Sequence, residues 1–167
     1  MPNATGSDPS ATVMIVAGEA SGDAHGAKLV RAMRERNPHL SFVGIGGERM
    51  AAAGVDIRVD ASALSVVGIT EVLSRAAAIL RAMAVAKALL REGPCLLILI
   101  DFPDFNLHLA GCAKKRGIPV LYYISPQIWA WRSSRIQKIG RRVDHMAVIL
   151  PFEAAFYRKH GIAATFV

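Results

Sequence analysis

Two carboxylates flank a proline at the end of an apolar run, in the segment ILIDFPDFN. Asp101 ends the apolar run itself, and Pro103 stiffens the loop that follows, so the carboxylate of Asp101 would be held in a fixed place. A carboxylate fixed at such a point is suited to contacting a ligand; a purely structural role at the end of a strand is the alternative. Asp104 directly precedes a helical pattern, and we expect it to cap that helix.

A second candidate loop, VAGEASGD, combines two glycines, a serine and two acids. It matches neither the dinucleotide fingerprint GxGxxG nor the phosphate loop GxxxxGK[ST]. One interpretation is structural: Gly18 and Gly22 permit a tight turn, and Ser21 or Asp23 caps the next helix. The other is functional, because the carboxylate of Glu19 needs a hydroxyl, an amide or a cation as a partner. A further glycine-rich loop, GIGGERM, indicates another close approach of the backbone to a neighbouring group.

The segment SPQIWAWR places two tryptophans two residues apart, beside an arginine. The rings either pack in the core or form a platform for stacking or for a membrane interface. Basic residues then recur with no acid between them, most of them on one face of a predicted helix: Arg132, Arg135, Lys138, Arg141 and Arg142. This face is either simply solvated or a contact for phosphates or anionic lipid.

The segment ALSVVGITEVLSRAAAILRAMAVAKALL contains more apolar residues than one buried helix face requires. We expect most of it to lie in the core. An exposed part would form an apolar patch able to hold acyl chains or to enter a membrane surface. The residues expected in that patch are Val66, Val67, Ile69, Val72 and Leu73.

The candidate loops follow short apolar runs that we predict as strands: TVMIVA, SFVGIG, CLLILI, VLYYIS and MAVIL. Helical patterns alternate with them, at about residues 24–36, 71–92, 105–116, 133–141 and 152–160. This alternation predicts an α/β fold in which a parallel sheet is flanked by helices. Right-handed crossovers would bring the carboxyl ends of the strands to one edge, where such sheets bind ligands.

The chain carries 20 basic and 13 acidic residues, a net charge of +7. Such an excess suggests an anionic partner, which could be nucleic acid, a phosphorylated metabolite or an anionic lipid surface. The five histidines never lie three or four residues apart, and Cys95 and Cys112 have no metal or redox spacing, so we expect no metal site. Reduced cysteines in apolar runs indicate a reducing, cytosolic compartment.

The two ends of the chain are read from their composition. Residues 1–11 lack the features of a signal peptide, and we predict a disordered tail there, before a domain over residues 12–167. No uncharged run is long enough to span a bilayer, so we expect a soluble or peripheral protein. The last residues, GIAATFV, look like a turn and the start of a strand, so we expect a fragment of a longer protein.

Seven pieces, in this order, resemble the lipid-A-disaccharide synthase family: VAGEASGD, FVGIGGERM, VVGITEVL, IDFPDFN, YYISPQIWAWR, IGRRVD and LPFEAAFY. They extend over nearly all of residues 13–167. The resemblance implies the amino-terminal, Rossmann-like half of a GT-B glycosyltransferase, the half that receives the acceptor. The missing carboxy-terminal half would hold most contacts to the donor.

The reaction that the resemblance implies is an inverting transfer in lipid A biosynthesis. It moves 2,3-diacylglucosamine from UDP-2,3-diacylglucosamine to 2,3-diacylglucosamine 1-phosphate and releases UDP. The family uses no metal and no cofactor, and it works in the cytoplasm at the inner face of the inner membrane. The anionic partners would accordingly be phosphorylated substrates and anionic lipid, with no nucleic acid.

The resemblance also assigns roles to residues. Asp101 would take the proton of the acceptor's 6-hydroxyl as that oxygen attacks the anomeric carbon, and Glu19 is the second candidate for acid–base work. Other substrate contacts are expected at Gly18, Ser21, Gly22, Asn106, Ser125, Gln127, Trp129 and Arg132. Acyl chains would be held by the apolar patch and by its continuation to Ile79 and Leu80, and the basic helix would meet the membrane.

Two functions of other classes remain open at the level of the sequence. A nucleotide-binding domain of a dehydrogenase has the same architecture, but its glycine fingerprint is broken here. A non-catalytic module that binds anionic lipid would need only the basic helix and the apolar segment.

Overall fold

A computed structural model of the chain describes residues 11–64, 72–125 and 134–167. Within these residues seven strands form one sheet in the order β3-β2-β1-β4-β5-β6-β7. They are β1 (Thr12–Ala17), β2 (Ser41–Gly46), β3 (Val55–Asp60), β4 (Leu96–Ile100), β5 (Val120–Tyr123), β6 (His145–Val148) and β7 (Ala164–Phe166). Every neighbouring pair is parallel, which confirms the predicted α/β architecture.

Six α-helices of the described residues connect or follow the strands. They are α1 (Ala20–Arg36), α2 (Glu48–Ala52), α3 (Val72–Arg91), α4 (Pro103–Lys114), α5 (Ser134–Arg142) and α6 (Pro151–Lys159). A short 3₁₀ helix at Ala61–Leu64 follows β3. The predicted tail falls outside the described residues, apart from Ala11.

The central strands are apolar on both faces because helices cover both sides of the sheet. Along β1, Val13, Ile15 and Ala17 pack into one core, with α1 and α2. Met14 and Val16 enter the other core, with α3, α4, α5 and α6. Alternating side chains of one strand thus supply two hydrophobic layers, which is why the run reads as continuously apolar.

Two elements are missing from the sequence prediction, β3 and α2. The strand β3 lies at the edge of the sheet and reads VDIRVD, with exposed residues at every second position, so it carries no apolar run. The helix α2 has five residues, too few to show a helical period. The strand expected at the end of the chain is present as β7.

Candidate functional site

The backbone is strained at the carboxyl ends of β4 and β5. Asp101 and Phe102 follow β4 with φ angles of 48° and 46°, and Ile124 follows β5 with a φ of 66°. Such left-handed conformations cost non-glycine residues on the order of 1–3 kcal/mol each and cluster at functional sites. The β-branched Ile124 is the least expected of the three. This edge of the sheet is therefore the candidate site, as the parallel topology predicts.

Two buried side chains hold the peptide of Asp101. Its carbonyl oxygen accepts hydrogen bonds from the Tyr122 hydroxyl at 2.5 Å and from Nδ2 of Asn106 at 2.7 Å. The same amide nitrogen donates to the carbonyl of Ile100 at 3.1 Å. Burial, and then the charge of Asp101, raise the pKa of Tyr122 far above its usual value, so its hydroxyl stays a donor. Asp101 itself is half-buried at the sheet edge.

The predicted role of Asn106 as a substrate contact does not fit this arrangement. The residue is 0% exposed, and its amide nitrogen is engaged by two backbone carbonyls. A fully buried side chain cannot reach a ligand at the edge. Asn106 is a support for the loop instead.

The cap expected of Asp104 is also wrong. The helix α4 begins at Pro103, so Phe102 is the N-cap residue and Asp104 lies within the first turn. Its exposed carboxylate pairs with Arg135 of α5 at 2.6 Å. A negative charge in the first turn still favours the helix through its dipole. Asp104 therefore joins α4 to α5.

The loop VAGEASGD touches the loop of Asp101. A Cβ atom on Gly18 would lie 2.4 Å from Cγ of Phe102, so only glycine allows the two loops to approach so closely. A Cβ on Gly22 would meet that of Ala17 at 3.3 Å, where α1 packs against β1. Glu19 and Ser21 are exposed beside these contacts. The structure thus brings the two predicted catalytic loops next to each other.

Asp23 caps a helix, but not α1, the helix that the structural interpretation of its loop proposed. It is 5% exposed and lies in the first turn of α1. Its Oδ1 accepts hydrogen bonds from the backbone N–H groups of Gly47 at 2.7 Å and Met50 at 3.1 Å. Its Oδ2 accepts one from the backbone N–H of Arg49 at 3.1 Å. The N-terminus of α2 is thus capped by α1. A Cβ on Gly47 would lie 2.9 Å from this carboxylate, which explains the close approach predicted for GIGGERM.

An open recess of about 290 Å³ lies beside Glu19, between α1, α2 and the end of β3. Hydrogen bonds from Ser62 hold the pKa of Asp60, on its wall, below the usual value. Exposed carboxylates and one arginine are suited to binding sugar hydroxyls. The recess is lined by Glu19, Ala20, Asp23, Gly47, Glu48, Arg49, Asp60, Ala61 and Ser62. Sequence reasoning missed Arg49 and Asp60 because it missed α2 and β3.

Ser125, another predicted substrate contact, is turned inward. It is 8% exposed, and its hydroxyl shares a hydrogen bond with the hydroxyl of Tyr157. Burial raises the pKa of Tyr157 to about 12, although the hydrogen bond to Ser125 works in the opposite direction. The contact ties the end of β5 to α6. Gln127, Trp129 and Arg132 lie outside the described residues.

The segment predicted to hold acyl chains is described only in part. Val66, Val67 and Ile69 lie outside the described residues, and α3 begins with Val72 and Leu73. Ile79 is half-buried against the core, whereas Leu80 is 70% exposed. Among the predicted acyl-chain residues whose exposure the structure describes, Leu80 alone is exposed as the prediction requires.

The basic face of α5 is partly used for packing. Arg135 is only 16% exposed in its pair with Asp104, and Arg142 donates to the carbonyl of Leu107 at 2.9 Å. Lys138 and Arg141 remain exposed. The expectation that most of these side chains form a free surface is therefore wrong for two of them.

Further basic residues gather near the last turns of α3, α4 and α5. They line two adjoining recesses of about 400 and 290 Å³ that share Cys112 and Lys115. Partial burial and the charges of Lys87, Arg142 and Lys115 lower the pKa of His108 there. Cations at helix C-termini are favoured by the helix dipole, and this cluster has that structural explanation. No three His, Cys, Asp or Glu side chains come together as metal ligands within the described part of the chain.

The chain is similar in sequence to one family of known proteins. The family model described as lipid-A-disaccharide synthetase matches residues 13–167. The lipid-A-disaccharide synthase of Geobacter metallireducens is 55% identical over 163 residues, which are 97% of this chain and 42% of that protein. That of Trichlorobacter lovleyi is 58% identical over 156 residues, 93% of this chain and 41% of that protein. The chain thus spans about two fifths of the length of these relatives.

Solved structures resemble the chain at much lower identity. A putative UDP-N-acetylglucosamine 2-epimerase from Listeria monocytogenes gives a TM-score of 0.62 at 13% identity, over 90% of this chain and 41% of that chain. The UDP-GlcNAc 2-epimerase of Neisseria meningitidis gives 0.54 at 11% identity, over 90% of this chain and 43% of that chain. At these identities the likeness shows the fold alone, which is the Rossmann-like half of a GT-B architecture, as predicted.

Proposed function

Because the chain belongs to the lipid-A-disaccharide synthetase family, we propose that it supplies the acceptor-binding half of an inverting glycosyltransferase. The reaction transfers 2,3-diacylglucosamine from UDP-2,3-diacylglucosamine to 2,3-diacylglucosamine 1-phosphate and releases UDP. The family match across residues 13–167 is the observation that carries this proposal. A dehydrogenase domain or a lipid-binding module without catalysis would not account for that match.

Asp101 is the proposed general base. An inverting transfer is a single displacement, so the attacking 6-hydroxyl must lose its proton to a group positioned beside it. Asp101 is a half-buried acid on a strained loop at the carboxyl end of β4, and this placement fits the task. Glu19, on the loop that touches the Asp101 loop through Gly18, is the second candidate.

The remaining contacts of the acceptor are proposed around these two loops. The exposed hydroxyl of Ser21 and the N-terminus of α1, which has no side-chain cap, are suited to a phosphate or a sugar hydroxyl. Gly18 and Gly22 were also predicted as substrate contacts; both are buried against Phe102 and Ala17, and we propose that they act by letting the two loops pack closely. Gln127, Trp129 and Arg132 are proposed to complete the site.

We also propose that the protein works at an anionic membrane surface on the cytoplasmic side. Lys138 and Arg141 are exposed cations on α5, and Leu80 is an exposed apolar residue on α3. Val66, Val67, Ile69, Val72, Leu73 and Ile79 are the other residues proposed to hold acyl chains. No helix among the described residues is long and apolar enough to cross a membrane.

The test is a chimeric enzyme in which residues 13–167 replace the matching segment of the Geobacter metallireducens relative. With both glycolipid substrates it should form disaccharide and UDP, whereas residues 1–167 alone should form none, because they match only 42% of the length of that relative. Asp101→Asn should lower turnover about 100- to 10,000-fold, the usual cost of losing a general base. Asparagine tolerates the left-handed backbone, so the loop should keep its shape.

Asp104→Asn is the matched control. The Asp104 carboxylate is 85% exposed, and asparagine keeps an oxygen that can accept from Arg135, so the loss should be about 0–1 kcal/mol and activity should change little. An active Asp101→Asn enzyme would refute the assignment of the base, and Glu19 would be tested next. A chimera that folds but forms no disaccharide would refute the proposed function.

A further inference from the structure

The carbonyl of Asp101 is held by two side chains, one 21 residues and the other five residues further along the chain. Tyr122 comes from the neighbouring strand β5, and Asn106 comes from the first turns of α4. Both are 0% exposed, and both donate to the carbonyl oxygen of Asp101. A carbonyl oxygen has two lone pairs, so these two donors complete its hydrogen bonding.

The two donors act where the backbone is least stable by itself. Asp101 and Phe102 are consecutive left-handed residues, and neither is glycine. Residues of this kind stay left-handed only when their surroundings over-determine the conformation. The ring of Phe102 contributes by packing beside Gly18 and stacking on Phe105 at a centroid distance of 5.0 Å. The hydrogen bonds to the Asp101 carbonyl fix the other end of the same turn.

The orientation of the Asn106 amide supports this interpretation. Its nitrogen faces two acceptors, the carbonyls of Ile100 and Asp101, so the side chain must present Nδ2 to them. The buried Oδ1 is left without a hydrogen-bond partner among the described residues. Buried polar atoms are rarely left unpaired, and such an exception calls for a reason. The two hydrogen bonds that Nδ2 donates to the strained turn are a sufficient reason for this orientation of the amide.

We propose that Tyr122 is a positioning residue whose hydroxyl, together with Asn106, locks the left-handed turn and thereby places the Asp101 carboxylate at the sheet edge. The inference rests on the proposed function, because it names what keeps the general base in place. Tyr122 is buried and has no access to substrate. Its effect on the reaction is therefore expected to pass through the geometry of Asp101.

The first experiment measures the backbone of the isolated chain by NMR. In Tyr122→Phe, the backbone couplings and Cα shifts of Asp101 and Phe102 should move away from left-handed values. Tyr123→Phe is the matched control, since it removes the same hydroxyl one residue later, from a side chain that packs in the opposite core. Asn106→Leu removes the second donor at similar volume and should produce the same movement as Tyr122→Phe. If the backbone of Asp101 stays left-handed in Tyr122→Phe or in Asn106→Leu, the proposal is overturned.

The second experiment measures turnover in the chimeric enzyme. A misplacement of the base by about 1 Å costs roughly 100-fold in rate, so Tyr122→Phe should lower kcat by about that factor. The KM for the acceptor should stay within about threefold, because the acceptor contacts remain. Unchanged kcat, or a loss expressed only in KM, would overturn the proposal. If the unsubstituted chimera is inactive, the proposed function fails, and the backbone of Asp101 in the isolated chain still decides whether Tyr122 positions it.

Discussion

Replacing Asp23 by alanine removes the cap that α1 provides for α2. Three backbone N–H groups, those of Gly47, Arg49 and Met50, would lose their acceptor. Asp23 is nearly buried, and hydrogen bonds from N–H groups to a carboxylate are among the stronger ones in proteins. The substitution should therefore destabilise the fold without touching the hydrophobic core.

The size of the loss in unfolding free energy depends on which of the three N–H groups water can reach once the carboxylate is gone. An unsatisfied buried donor costs about 1–3 kcal/mol. Met50 is fully buried, whereas Gly47 is half-buried and Arg49 is exposed, so water can replace part of two of the lost bonds. We expect a loss of about 3 kcal/mol, somewhat above the usual upper value for an N-cap. For a chain of this length that corresponds to a decrease in Tm of about 6–12 °C.

Urea unfolding of the isolated chain, followed by circular dichroism, measures this loss directly. Asp23→Asn should lie between alanine and wild type, because it keeps one acceptor oxygen and turns an N–H group towards the amide of Arg49. Glu48→Gln is the control, since it removes an exposed acid from the first turn of α2, at an expected cost below about 1 kcal/mol.

A loss below about 0.5 kcal/mol for Asp23→Ala, with an unchanged m value, would show that the cap does not matter to stability. Loss of chimera activity in Asp23→Asn at full stability would show that the carboxylate binds substrate instead. Either outcome would contradict the structural role assigned to Asp23.

Two further predictions concern charge. Burial raises the pKa of Asp144, but hydrogen bonds from Lys114 and the amide of Val120 outweigh burial and leave it lowered. The stability that Asp144 contributes should therefore be complete above pH about 4 and lost as the pH falls through the folded-state pKa. Urea unfolding at several pH values measures the difference in unfolding free energy between wild type and Asp144→Asn, and a difference that stays constant at low pH would refute this. Lys138→Gln with Arg141→Gln should weaken sedimentation with anionic liposomes at low salt, and equal binding to neutral liposomes at high salt would exclude a role for these cations.

The family and the parallel sheet were predictable from the chain alone. Both depend on local order: continuously apolar runs alternate with helical patterns, and the motifs follow one another in a fixed sequence. A parallel sheet then requires that the loops after β1 and β4 share one edge. The loops that carry Glu19 and Asp101 could therefore be predicted to lie at the same edge, and the contact of Gly18 with Phe102 agrees with this prediction.

Local patterns could not show how the polar side chains are paired. Asp23 was one of two candidate caps for its own helix, and it instead caps a helix that begins 25 residues later. Asn106 and Ser125 were expected to face substrate and are buried. The hydroxyl of Tyr122 gave no signal at all, although it holds the carbonyl of Asp101.

The physical reason is that periodicity reports which side of an element faces the core, whereas a hydrogen bond depends on the position of a second element. Arg135 and Asp104 are 31 residues apart, and Tyr122 and Asp101 are 21 apart. Their distances are set by how α5 packs on α4 and how β5 lies beside β4. The residue types of this chain thus determined the fold and the sheet edge that carries the candidate site, and only tertiary packing decided which polar side chains are buried in hydrogen bonds and which are exposed.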